Sequence, residues 1–366
     1  MDLDLLEKTL AARGEPAFRA RQIWAWTARG AGAYAEMTNL PASLRELLSE
    51  ELPLSTLIAV EESHALDGTV KPLFHTADGR PLEAVLMRFR DGRRSVCLSS
   101  QSGCPLTCTF CATGAMKFAR NLSASEIVDQ ALHFRRIEPI DHCVFMGMGE
   151  PMLNLDAVLG ACERLPDIGI THRRTTISTV GWIPGIERLT ETDLPVRLAL
   201  SLHAAEDALR SELMPVNERY PLADVIEAAR GFYTRRRRRV FVEYVMLAGV
   251  NDRYEQALAL AKLLAPRELS PRPGAPPQRR THSSTGPVRD AQPTQMFKVN
   301  LIPYNPTGAP FEGSSRESIA AFKGALQAHG IDATVRLTRG RDIAAACGQL
   351  AALNAQPATA PGARAV

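Results

Sequence analysis

The stretch SVCLSSQSGCPLTCTFCATG, residues 95–114, sets a short apolar run ahead of Cys104, Cys108 and Cys111 in the spacing C-x₃-C-x₂-C. The run reads as a strand and the cysteines as the loop that leaves it. Outward from there the same alternation recurs. Strand-like runs stand at HCVFMGMG, RTTISTVG, VRLALSLH, RVFVEYVML and MFKVNLIPY. Amphipathic helical segments such as SASEIVDQALHFRR, PLADVIEAARGFYTRR and YEQALALAKLLA lie between them. Near-continuous apolar strands joined by helices predict a parallel sheet with crossover connections. Six such units fit an α/β fold built as a partial (β/α)6 TIM-like barrel.

In such a barrel the C-terminal strand ends share one face. Unusual polar groups collect there: Gly149-Glu150 after HCVF, Ser178 after RTTI, Ser201-Leu202-His203 after VRLAL, and Asn305 after VNLIPY. Singly, each also reads as a strand-end cap. Three clustered thiols need a shared ligand. Zinc sites pair two C-x₂-C knuckles, and the sequence has no second knuckle. A [4Fe-4S] cluster held by three thiolates instead leaves one iron open to an outside ligand.

The net charge of +3 over 366 residues is too small to specify a nucleic-acid partner. The basic run Arg235–Arg239 reads either as a phosphate contact or as a solvated helix end. No apolar run is long enough to span a bilayer, the N-terminus is unlike a secretory signal, and clustered cysteines suit a reducing, cytoplasmic compartment. Residues 1–65 read as a helical module with a basic face. Residues 66–94 read as β-hairpin material turning at Asp78-Gly79 and Asp91-Gly92, and 95–354 as the (β/α) core. A proline-rich insertion at 266–295 and the tail 355–366 lack the apolar residues to fold and are expected to be disordered. Cys143 and Cys162 read as small core residues. Cys347, in TRGRDIAAACGQL, reads as either a reactive thiol or a buried one.

The C-x₃-C-x₂-C spacing, with Phe110 directly before Cys111, resembles the radical S-adenosylmethionine (SAM) superfamily. Together TRGRDIAAACGQL, MGMGEPMLN, SLHAA, VNLIPYNP, FCATG and FARNL resemble the RlmN family of RNA methyltransferases, and FRARQIW and EMTNLPASLRELL extend the likeness through the N-terminal module. The resemblance implies methylation of carbon 2 of adenine 2503 in 23S rRNA and of adenine 37 in certain tRNAs. The related Cfr proteins methylate carbon 8 of the same rRNA adenosine and are the nearest alternative. A non-catalytic RNA-binding factor with a structural Fe–S cluster is a remoter one.

By that resemblance Cys104, Cys108 and Cys111 hold the cluster, and SAM occupies its open iron. Gly149, Glu150, Ser178, Ser201, Leu202, His203 and Asn305 contact SAM. Two SAM molecules serve each turnover: one methylates Cys347, the other yields a radical that activates the S-methyl carbon for addition to adenine. Glu83, which alone reads as a surface carboxylate, is implied as proton acceptor. Cys97, which alone reads as core, is implied as the resolving thiol, through a transient disulfide with Cys347. The implied partners are 23S rRNA, tRNA and a cellular electron donor, with the protein acting as a monomer away from membranes.

Overall fold

A computed structural model describes residues 1–265 and 296–352. The insertion and tail expected to be disordered lie outside the described residues. Helices α1 (Leu3–Ala12), α2 (Phe18–Ala28) and α3 (Ala42–Glu51) pack around a core of their own that includes Leu6, Ile23, Met37 and Leu48. The side chain of Asp2 caps α1 by accepting from Leu5 N–H at 3.0 Å. The apolar period predicts helices through the first ~60 residues, but they end at Glu51. Pro53 restricts Leu52 to extended backbone and cannot continue the helical ladder. The β-branched run that follows becomes strand β1 (Leu57–His64).

Strands β2 (Val70–Thr76), β3 (Pro81–Glu83) and β4 (Val85–Arg88) continue the antiparallel part, and β4 pairs β5 (Arg94–Cys97). A small ribbon, β6 (Gln101–Ser102) with β7 (Arg120–Asn121), brackets the cysteine loop. From β5 the sheet turns parallel through β8 (His142–Phe145), β9 (Thr175–Thr179), β10 (Arg197–Ser201), β11 (Val240–Met246), β12 (Phe297–Pro303) and β13 (Asp332–Val335). The six expected strands form in the expected order, and β13 adds a short seventh. The sheet is open, with β1 and β13 at its edges.

Crossovers are made by α4 (Ala124–Ile137), α5 (Leu155–Ile168), α6 (Ile183–Glu191), α7 (Asp207–Leu213) followed by α8 (Leu222–Arg236), α9 (Tyr254–Leu264) and α10 (Arg316–Ala328). Helix α4 starts on a capping box: Ser123 Oγ accepts from Glu126 N–H, and Glu126 Oε2 accepts from Ser123 N–H at 2.8 Å. Phe145, Ile177, Leu200, Val242, Tyr244, Val299 and Leu301 are buried between sheet and helices, each worth roughly 1.5–3 kcal/mol of transfer free energy. Among the described residues no helix is long and apolar enough to cross a membrane.

The helical module docks on the barrel through Trp24, whose indole N–H donates to Asp167 Oδ2 on α5 at 2.7 Å. Trp24→Phe keeps most of the buried ring but strands a carboxylate oxygen. A loss of about 1–2 kcal/mol is expected in urea unfolding.

Candidate active site

The cysteine loop is shaped by backbone contacts. Cys111 N–H donates to Cys108 O at 3.2 Å, and Thr109 N–H donates to Leu213 O at the end of α7 at 3.0 Å. Gly114 is required by close approach, since a Cβ there would lie 2.7 Å from the Cys108 carbonyl oxygen. All three cysteines line one cavity of about 1020 Å³ at the C-terminal ends of the parallel strands.

The strand-end residues picked out by the sequence gather around that cavity. Gly149 has φ +97°, and a Cβ there would meet Gln101 Cβ at 2.5 Å, so the turn into Glu150 needs glycine. Glu150 is buried; its carboxylate accepts from Met152 N–H at 3.1 Å and Val180 N–H at 3.0 Å. Burial nevertheless pushes it up to about 7. Ser178 and Ser201 pair through their hydroxyls at 3.3 Å. His203 has φ +60°, stacks edge-on against Phe110 at 4.7 Å, and accepts Val245 N–H on Nδ1 at 3.0 Å. Burial and nearby Arg210 hold its ring at about 3, so it is neutral near pH 7 and carries its proton on Nε2. Leu202 is the exception: its side chain lies in the core, and its backbone bridges Glu243 O and Arg210.

Asn305 donates to Cys347 O at 3.3 Å, while its buried Oδ1 has no partner among the described residues. Cys347 lines both this cavity and a second of about 570 Å³, which also holds Cys97, Met146, Arg336 and Asn305. Its side chain is exposed; desolvation by the surrounding protein pushes its thiol up to about 11 against the opposing pull of Arg336. Cys97 is pushed to about 12, by burial first and then by Cys347.

The disulfide implied between these two is not present. Cys97 and Cys347 are both free thiols, as are the other five cysteines.

Sequence reasoning missed two charged residues here. Glu243, buried on β11, accepts from Asn300 Nδ2 at 2.9 Å and pairs with Arg336 at 3.1 Å. The signal was available: Glu243 is the one charge in VFVEYVM. Arg336, next after β13, acts on both thiols.

The loop carrying Cys347 is a strap held from two sides. On the barrel side Ala112 N–H donates to Gly348 O at 2.8 Å, Thr113 Oγ1 to Leu350 O at 2.5 Å, and Gln349 Nε2 to Pro306 O at 2.8 Å. On the hairpin side Leu66 N–H donates to Asp342 Oδ2 at 2.9 Å, and Asp67 Oδ2 accepts from Gly340 N–H at 3.1 Å.

Glu83 belongs to this clamp and lines neither thiol cavity. It accepts from Ala351 and Ala352 N–H at 3.0 and 3.1 Å and pairs with Lys71 at 2.8 Å, in a third cavity of about 660 Å³. Arg235–Arg239 are also remote. They lead into the N-terminal end of β11, opposite the strand ends that form the site, with Arg235 beside Glu191 and Arg236 on Leu194 O.

Three thiols, an orphaned amide oxygen, paired hydroxyls and a neutral histidine around one cavity suit an iron–sulfur cluster with a polar organic ligand. Among the described residues no group of three or more His, Cys, Asp and Glu side chains, Cys104, Cys108 and Cys111 included, is drawn together closely enough to hold a metal ion.

Residues 98–261 match the Radical SAM superfamily, and residues 1–53 match the ribosomal RNA large subunit methyltransferase N-terminal domain. The chain is 44% identical to the probable dual-specificity RNA methyltransferase RlmN of Chloroflexus aurantiacus, over 97% of this chain and 93% of that protein. It is 43% identical to a protein of the same description from Thermus thermophilus, over 98% and 94%. The crystal structure of a radical SAM methyltransferase from Sphaerobacter thermophilus superposes with a TM-score of 0.83 at 42% identity, covering 96% of this chain and 98% of that one.

In the ligand-free protein Glu150 binds its proton more tightly folded than unfolded, between about 4.5 and about 7. Stability is therefore expected to fall as pH rises through that window, the folded state holding the extra proton. Glu150→Gln should flatten the decline in thermal melts from pH 5 to 7. An unchanged slope would mean that Glu150 does not carry it.

Proposed function

The chain belongs to the RlmN family of radical SAM RNA methyltransferases, and from that membership and the site's layout we propose that it methylates carbon 2 of an adenine in 23S rRNA, with tRNA as a second substrate. The observation that carries the reading is Cys347, which stands in the wall shared by the cysteine cavity and the second thiol cavity. A methyl acceptor placed there takes its carbon from one side and delivers it to the other. The relatives described above as dual-specificity RlmN support carbon 2 over the carbon 8 chemistry of Cfr proteins.

Cys104, Cys108 and Cys111 would hold a [4Fe-4S] cluster, with SAM at its open iron. Glu150 would meet the SAM ammonium, while Ser178, Ser201, His203 Nε2 and Asn305 Oδ1 offer neutral hydrogen bonds to its other polar groups. Gly149 brings the backbone close, and Leu202 contributes through its main chain. Bound there, these groups supply a methyl group and a hydrogen-abstracting carbon radical, which electron-poor carbon 2 of adenine requires.

Cys347 must lose its proton to accept the methyl group. Arg336, held in place by Glu243, favours that loss against burial. Cys97 is the second thiol of the adenine-side cavity. Glu83 is the proposed acceptor of the carbon-2 proton. To act, it must exchange the Ala351 and Ala352 N–H donors for substrate, while Lys71 stabilises its charge. Adenine must leave its stack to reach this cavity, past a rim that includes exposed Leu337.

Anaerobic reconstitution with iron, sulfide, SAM and reductant on a 23S rRNA fragment is expected to yield 2-methyladenosine by nucleoside mass spectrometry. Cys347→Ala should abolish it while leaving iron content unchanged. 8-Methyladenosine, or undiminished product from Cys347→Ala, refutes the assignment.

A further inference from the structure

The tip of the β4–β5 hairpin stands at the edge of the second thiol cavity. Met87 on β4 lines that cavity, and Phe89, two residues on, follows it on the same face of the hairpin. The turn itself seats Phe89: its N–H donates to Arg93 O at 2.9 Å, and its carbonyl accepts from Gly92 N–H at 3.1 Å. Two guanidiniums lie over its ring. Cζ of Arg93 is 4.0 Å from the ring centroid and Cζ of Arg339 is 5.4 Å from it. Arg339 comes from the loop that leads into the strap and lines the cavity beside exposed Leu337.

Neither guanidinium donates a hydrogen bond among the described residues, and the Nε of each is buried without an acceptor. The carboxylates beside them stand beyond hydrogen-bond reach: Asp91 Oδ2 is 3.7 Å from Arg93 Nη2, and Asp67 Oδ2 is 3.6 Å from Arg339 Nη1. Both acids are engaged by backbone. Asp91 accepts Arg93 N–H at 3.1 Å, and Asp67 accepts Thr69 N–H at 3.0 Å and Gly340 N–H at 3.1 Å. Contact with an aromatic ring holds a guanidinium in place while leaving its N–H fork free for a phosphate. Two such forks at one cavity mouth have the charge and the donors for a phosphodiester, and Leu337 offers an apolar surface to an unstacked base.

We propose that Arg93 and Arg339, seated on Phe89, form a clamp for the RNA phosphate next to the adenine that enters the second thiol cavity. They are positioning residues, holding the flipped nucleotide by its backbone while the thiols meet its base. The inference rests on the reading that this cavity receives an adenine of RNA.

The test uses full-length protein reconstituted anaerobically and a fluorescent 23S rRNA fragment, with Kd measured over a range of salt. R93Q and R339Q are each expected to raise Kd about tenfold and to reduce the salt slope by about 1. A neutral methylphosphonate linkage, placed on the 5′ or the 3′ side of the target adenine, locates the phosphate. One of the two should weaken wild-type binding about tenfold and weaken the R93Q/R339Q double variant no further. Wild-type Kd and slope in both single variants overturn the clamp. So does a wild type indifferent to both linkages, or a double variant that responds to them as wild type does. R93Q changes only the hairpin turn, so it decides should R339Q disturb the strap. Wild-type protein that leaves no methylated adenine in the fragment overturns the reading of the cavity as an adenine site, and this inference with it.

Discussion

The hydroxyl of Thr113 and the carbonyl of Leu350 meet at 2.5 Å across 237 positions of sequence. With the neighbouring Ala112–Gly348 bond, this contact fastens the strap to the cysteine loop. The rest of the site depends on it. The barrel alone presents three thiols, a carboxylate and a ring of neutral donors, enough to hold a cofactor. The strap adds Cys347 to the cysteine cavity's lining. Cys347 and Leu350 of the strap line both that cavity and the second thiol cavity.

Burial sets the electrostatic character of that interior. Glu150, Cys97 and Cys347 are all shifted toward their neutral forms by desolvation, and His203 is kept neutral as well. The charges that persist are those with a partner or a full set of hydrogen bonds, as with Glu243–Arg336 and Arg210. Such a site is poised to gain charge with its ligands, since an arriving cation or anion meets oriented groups rather than competing water.

Much of this was legible in the residues. The six parallel strands follow from apolar runs of the right length, and the cysteine loop and Glu150, Ser178, His203 and Asn305 from their place at strand ends. What escaped depends on long-range pairing. Arg210 reads as an ordinary helix charge in DALRSEL, and only tertiary packing buries it under three carbonyls. Glu83 sits on an alternating strand, and its engagement by Ala351 and Ala352 cannot be inferred from spacing. The run Arg235–Arg239 was conspicuous as composition. It stands at the wrong end of β11 to serve the strand-end site, because sequence gives charge density but not which end of a sheet a helix returns to. Leu57–His64 was lost to a helical period that Pro53 interrupts.

The strap also fixes an order of assembly. It closes onto a hairpin laid down early, with Leu66 bonding Asp342 across 276 positions and Glu83 bonding Ala352 across 269. Pairings of such separation form late, after the local βα units have collapsed. During synthesis the βα units can fold as they emerge, and Cys347 follows with residues translated after them. A growing chain can therefore form its cysteine loop before the strap that carries Cys347 has been made, and the two are joined only afterwards.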